Sequence, residues 1–540
     1  MKRRKFIGLI AGGAVAGYLN LGPRPAGASE ARVFRHGVAS GDPLADAVIL
    51  WTRVSEQGKR RVRVKWSVAL DPEFRQVVRR GRRRTGPDRD YTVKIDVTGL
   101  EAGRTYYYRF TVDGETSPVG RTRTLPVGQL ESARFAVVSC SNYAYGYFNV
   151  YRDIAAADEL DAVIHLGDYM YEHGQGGYAT EYAEALGRVP VPPVETVTLA
   201  DYRARYAQYK SDPDSQAMLA RIPLISVWDD HEITNDAWRD GAHNHQEEEG
   251  SYRDRVAAAV QAYFEWMPIR GEAAAGATRI FRSFDYGDLL SLHMLDTRLY
   301  DRDAQPDVDG ETDPQVIAAR LKDPSRRLLG REQEGWFGAQ VEESAATWQL
   351  IGQQVMMAPV RSPDLEPLLD LDVDSGLPRE ALEQYVAVSK NNPPMLLDTW
   401  NGYPAARQDF LATLADNAAN AVVLTGDMHT SMAGNLIPAG REAPVAVELM
   451  TTSVTSPGFD DYLPQVRPNA VRDATLDCND MLSYMETGRR GWLCVQLTRS
   501  ECTAEWHLID TVHSREYSKT VDCRLRVEAG RVGEGLQEAS

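Results

Sequence analysis

The 540-residue sequence predicts an α/β domain preceded by an all-β sandwich, and three observations carry that prediction. From Phe34 to about Pro126, short runs alternate apolar and polar residues between turn residues, the pattern of half-buried antiparallel strands. After Leu125-Pro126 the runs become continuous and β-branched and alternate with helical patterns, which marks parallel strands buried on both faces. Four of those runs stop at short clusters of metal-ligand side chains, where open α/β sheets place their ligands.

Taken in order, Lys2, Arg3, Arg4 and Lys5 precede an apolar stretch to about Leu21, and Ala26-Gly27-Ala28 supplies a small-residue cleavage site. Arg3-Arg4 followed by Phe6 resembles a twin-arginine signal, so residues 1–28 read as a leader that hands a folded protein to the twin-arginine export machinery. Glycines and Asn20 interrupt the apolar stretch, which argues against a membrane span remaining after cleavage. Residues 29–127 then form the sandwich and 128–540 the α/β domain.

Within the sandwich, Gly99 to Phe110 resembles the corner of a fibronectin-like domain. The basic run Arg79-Arg80-Gly81-Arg82-Arg83-Arg84 reads as a solvated strand end or loop rather than a polyanion site. Helices are expected over 197–222 and 250–268, surface loops over 301–330 and 361–395, and a hairpin from Trp492–Leu497 and Thr503–Ile509.

Charge and cysteines bound the function. The formal charge is −17, and removing a leader with basic but no acidic residues makes the remainder more acidic still. Such a field repels nucleic acid and anionic membranes unless a local basic patch reverses it, so no nucleic-acid role is expected. Cys478, Cys494, Cys502 and Cys523 crowd the end, where an oxidising compartment allows several pairings; Cys140 stands alone.

The four endings are Cys140; Asp168 with Tyr171; Asp229, Asp230, His231 and Glu232; and Asp427 with His429. Asp168 can bridge two cations, and Tyr171 offers a hard phenolate suited to a trivalent ion such as Fe³⁺. Asp427 and His429, two apart in an extended segment, point the same way, as joint ligands require. Cys140 adds a thiolate for a transition metal. The third cluster sets carboxylates beside a histidine able to donate a proton or stabilise a phosphoryl oxygen. Singly, these groups read equally well as caps or core residues; converging, they read as a phosphoester-cleaving metal site.

Longer motifs carry a resemblance. Phe34–Pro43, Ser139–Asn142, His165–Glu172, Val227–Trp238, Leu295–Tyr300 and Leu424–Ser431 resemble the PhoD-like alkaline phosphatases and phosphodiesterases of the metallophosphoesterase superfamily. The resemblance implies a four-layer metallophosphoesterase sandwich, like that of purple acid phosphatases, behind a fibronectin-like β-sandwich domain. It implies Cys140, Asp168, Tyr171 and His429 as ligands of a ferric ion. Asp168 would bridge to Ca²⁺, held also by Asp230 and Asp427, and catalytic His231 would face the phosphate. Departures from the superfamily are Ser139-Cys140-Ser141 for the first Asp-x-His, Asp230 for an asparagine and Asp427 for a histidine. Gln353 and Gln354 stand where another metal-binding histidine is common. Carboxylates in place of imidazoles shift the second ion from Zn²⁺ toward Ca²⁺. Asn142, Glu172 and Asp229 are expected to support the ligands. Arg298 is expected to pair with a neighbouring Asp296 or, like Arg270, to clamp phosphate. His165, Trp238, Trp266 and Trp400 read as core or pocket wall.

The expected function is an exported alkaline phosphatase or phosphodiesterase in which metal-bound hydroxide attacks phosphorus directly. The alternatives are a phospholipase D-like reaction on phospholipid headgroups and a non-catalytic cell-envelope binding protein on the same fold. Cleavage of the leader predicts that N-terminal sequencing of exported protein begins at Ser29; a start before Ser29 contradicts it.

Overall fold

The computed structural model describes residues 33–55, 61–271, 279–308, 313–368, 383, 386–462, 466 and 469–539; the leader lies outside the described residues. The largest sheet runs, in spatial order, Gln537–Glu538, Lys519–Glu528, Glu501–Ile509, Arg490–Thr498, Ser132–Val138, Ala162–His165, Leu224–Ser226, Val38–Gly41, Ala47–Arg53 and Thr92–Thr98. Its centre is parallel: Ala162–His165 pairs with Ser132–Val138 on one side and Leu224–Ser226 on the other. These strands are covered on both faces, which is why their sequences are unbroken apolar runs. Their carboxyl ends lie side by side, and a motif follows each.

A second sheet orders Arg282–Tyr286, Leu290–Met294, Trp348–Gly352, Ala421–Thr425, Ala446–Met450, Ser431–Leu436 and Leu482–Glu486, with a parallel middle. Leu292, Leu350, Val422 and Leu424 share one core with Ala136, Val137 and Ile164 of the first sheet. Ile351 and Val423 face the opposite way, onto Phe337 and Phe410 of helices Arg331–Glu343 and Pro404–Asn417. An isolated bridge from Ser139 to Ser453 ties the two sheets together just beyond the strand ends.

The expected sandwich shares a sheet with the α/β part. Val38–Gly41, Ala47–Arg53 and Thr92–Thr98 extend the large sheet, with Gly41 pairing in parallel with Leu224. Gly41 lies so close to the neighbouring chain that a Cβ would sit 2.4 Å from the Pro268 carbonyl oxygen. Across a core of Val48, Leu50, Val64, Val68 and Phe110 lies a five-stranded sheet of Val77–Thr85, Val62–Ala69, Thr105–Val112, Glu115–Thr116 and Gly120–Arg123. The Tyr106 hydroxyl accepts the Glu101 N–H at 2.8 Å, forming the tyrosine corner.

Several local readings change. The helix expected over 197–222 is two, Leu199–Lys210 and Pro213–Arg221. Asp212 caps the second by accepting from the Asp214 and Ser215 N–H groups, and Pro213 suits a first helical turn but not a helix interior. The 301–330 loop contains a short helix, Pro314–Leu321, capped by Asp313. The basic run is an exposed edge strand, Val77–Thr85. The expected hairpin forms but has two more strands outside it, and all five cysteines are unpaired. No helix among the described residues is long and apolar enough to cross a membrane.

Lys210 closes the helix Leu199–Lys210 inside the core. Its ammonium lies 5.2 Å from the Trp51 ring and 4.7 Å from that of Tyr169, with no hydrogen-bond partner for Nζ. Burial pulls its pKa down to about 7. Between about pH 7 and the ordinary lysine value of about 10.4, the unfolded chain therefore binds more protons, and stability rises with pH. Lys210→Met is expected to be more stable than wild type by on the order of 3 kcal/mol at pH 7, with the gap closing toward pH 10. Denaturation at both pH values checks this, and a pH-independent difference would contradict it.

Candidate metal centre

Three of the four endings turn through left-handed backbone: Cys140 at φ 60°, Asp168 at 55°, and Asp427 with His429 at 64° and 57°. Non-glycine residues hold this conformation only where surrounding structure compels it, commonly at functional sites. Gly167, at φ 109°, lets the second ending press on the third, since a Cβ there would fall 2.4 Å from that of Asp229. Glu232 fastens the two together. Its carboxylate accepts N–H groups from Asp168 at 2.9 Å, Tyr169 at 2.6 Å and Asp229 at 2.8 Å.

All the residues predicted for the site come together. Donor atoms of Cys140, Asp168 and His429 lie within 4.8 Å of one another, as do those of Asp168, Asp230 and His231, and those of Asp229, Asp230 and Asp427. The Tyr171 hydroxyl joins the first group, donating to Asp168 Oδ2 at 3.0 Å and lying 3.1 Å from His429 Nε2. Asp168 and Asp230 each belong to two groups, so the three are contiguous. His429 Nδ1 donates to the Pro457 carbonyl at 2.8 Å, which turns Nε2 toward the other ligands. His231 Nδ1 bonds Glu172 at 2.7 Å, and its ring lies 4.1 Å from that of Tyr171.

The electrostatics suit cations. Burial, then Asp229 and Asp230, pushes Asp168 and Asp427 well above the usual carboxylate range, and burial lifts Asp229 to about 6. Burial, then Asp168, raises the Cys140 thiol and the Tyr171 phenol. A multivalent cation favours the anionic form of every one of these groups. Asp168 Oδ1 and Asp230 Oδ1 are buried without a hydrogen-bond partner, as oxygens aimed at a metal rather than a donor would be. Thiol, phenol and imidazole suit a transition metal, whereas Asp229, Asp230 and Asp427 suit a hard, oxygen-loving ion. Burial opposes a charged His231, but Glu172, Asp168 and Asp230 outweigh it and raise its pKa well above the ordinary imidazole value.

Other expectations are corrected or refined. Arg298 is fully buried and binds Asp229 at 2.5 Å, Asp398 at 2.5 Å and Asp427 at 3.3 Å, while Asp296 accepts only its backbone N–H. It braces the acids from beneath and does not reach out to a phosphate. Arg270 binds Asp42 and Asp96 in the N-terminal sandwich, away from the centre. Gln354 bonds the Trp228 and Leu295 carbonyls and Gln353 the Trp400 indole, so both stitch loops together. Asp398 was missed, because no motif surrounds it. His165, Trp266 and Trp400 are core residues, and Trp238 is half-buried.

Residues 135–506 match the family model described as PhoD-like phosphatase, and residues 22–126 match that of its N-terminal domain. The chain belongs to the PhoD-like phosphatase family. It is 37% identical over 483 residues to alkaline phosphatase D of Bacillus subtilis (strain 168), across 84% of this chain and 76% of that relative. The solved structure of PhoD superposes with a TM-score of 0.81 at 32% identity, covering 96% of this chain and 94% of the other. As a PhoD-like phosphatase, the chain is a phosphoric ester hydrolase, which sets aside the non-catalytic alternative. In this PhoD-like phosphatase, Glu232→Gln would turn an amide NH₂ toward at least one of the three N–H groups now satisfied. A stability loss of about 1–3 kcal/mol with reduced activity is expected in denaturation and turnover assays; wild-type values for both would contradict the fastening role.

Proposed function

We propose that this PhoD-like phosphatase is exported and hydrolyses phosphate mono- or diesters at a binuclear Fe³⁺–Ca²⁺ centre. Cys140, Asp168, Tyr171 and His429 would hold a ferric ion, and Asp168, Asp230 and Asp427 would hold calcium. The observation that carries this reading is the sharing of Asp168 and Asp230 among three donor groups, each of the two with one buried carboxylate oxygen that accepts no hydrogen bond. We take the two large sheets and the helices outside them as the four layers of the superfamily. The twin-arginine pattern of residues 1–28 supports export.

Cations held there would supply Lewis-acid charge for the phosphoryl oxygens and lower the pKa of water. The chain's own groups do the positioning. Glu172 holds His231 through Nδ1, which leaves the Nε2 proton for an oxygen of the ester as charge develops. Tyr178 stacks against both His231 and Tyr171 and keeps this ring in place. Arg298 and Glu232 hold the acid-bearing loops at fixed separation. Displacement at phosphorus is direct, without a phosphoenzyme.

Native protein is expected to hydrolyse nitrophenyl phosphate and its bis-ester, to stop on calcium chelation and to resume when calcium returns. Cys140→Ala and Asp168→Asn should each lower kcat/KM by about a hundredfold or more. His231→Gln should lower kcat by about 10²–10⁴. Wild-type activity in both ligand variants would defeat the assignment, and headgroup release from phosphatidylcholine outpacing both nitrophenyl esters would favour the phospholipase D-like reading.

A further inference from the structure

One face of the five-stranded sheet is strongly basic in a chain whose formal charge is −17. Val62, Val64 and Val68 point into the sandwich core, so the alternating Arg63 and Lys65 point outward, and both are exposed. The antiparallel register sets Arg63 opposite Arg84, Lys65 opposite Arg82, and Ser67 between Arg80 and Arg109. Arg80, Arg82 and Arg84 are exposed as well. Val62–Ala69, Val77–Thr85, Thr105–Val112 and Gly120–Arg123 contain no acidic residue at all. Among the described residues, none of Arg63, Lys65, Arg80, Arg82 and Arg84 is ion-paired.

Like charges directly opposite one another destabilise a sheet, so the ladder needs a reason. Protection of an exposed edge accounts for cations on Val77–Thr85, which is the edge strand. It does not account for Arg63 and Lys65 on the strand inside it. The backbone positions that carry these cations stand about 4.8 Å apart across strands and about 6.7 Å apart along them. Guanidinium groups bind phosphate oxygens in parallel pairs, which fits an arginine-rich ladder. Tyr107 is the one half-exposed aromatic side chain that shares this face, fewer than the successive stacking platforms of single-stranded nucleic-acid sites.

We propose that this face docks the protein onto an anionic phospholipid bilayer, its cations against the headgroup phosphates. A two-dimensional array of cations on long side chains complements the two-dimensional array of phosphates at a bilayer surface. The acidic remainder of the molecule is repelled by the same surface, so attraction and repulsion together fix the orientation. The reading of residues 79–84 as a solvated strand end or loop took the run without its partner strand. This docking stands independently of the metal centre.

Sedimentation with vesicles of phosphatidylcholine plus phosphatidylglycerol, against phosphatidylcholine alone, tests it. Wild type should bind only the anionic vesicles, with affinity falling as salt rises. Arg80→Ala/Arg82→Ala/Arg84→Ala should bind on the order of a hundredfold more weakly and turn over nitrophenyl phosphate like wild type. If the triple variant does not fold, Arg82→Gln alone should weaken binding several-fold. Equal partition of wild type and variant overturns the proposal, as does binding to soluble polyphosphate or DNA with anionic vesicles left unbound.

Discussion

Asp168, Asp229, Asp230, Asp398 and Asp427 are crowded where the strands of two sheets end, and in so shielded a place like charges repel strongly. Arg298 offsets part of this repulsion, reaching Asp229, Asp398 and Asp427 with one buried guanidinium. The Glu232 carboxylate satisfies three N–H groups and keeps two of the acid-bearing turns from parting. Cations at the shared carboxylates would neutralise the rest. Much of the surrounding structure follows from keeping those acids together.

The parallel centre of the large sheet brings the ends after Val138, His165 and Ser226 into one row, and the shared core with the second sheet brings the end after Thr425 opposite. Left-handed turns at Cys140, Asp168, Asp427 and His429 then aim the ligands inward. The N-terminal strands lengthen the same sheet through Gly41 and Leu224, and leave the other half of the sandwich, with its cationic face, open to the surroundings.

The ligands were legible because each lies within a few residues of a strand end, and strand ends are the best-marked feature of a buried parallel run. Asp168 and Tyr171, Asp427 and His429 needed only local spacing. Arg298 was misread in part because its partner Asp398 lies a hundred positions away in a stretch without periodicity. The break at Asp212-Pro213 carried a clear cap-and-proline signal that amphipathic periodicity on either side obscured. The arginine ladder depends on register, which sets Arg63 against Arg84 and is not written in either strand alone.

The account turns on what the crowded carboxylates hold. Elemental analysis of natively exported protein, with anomalous X-ray scattering to place each metal, tests this most directly. The predicted result is iron within bonding distance of Cys140, Asp168, Tyr171 and His429, and calcium beside Asp230 and Asp427. Fully active protein without iron, or iron retained unchanged in Cys140→Ala, would contradict it.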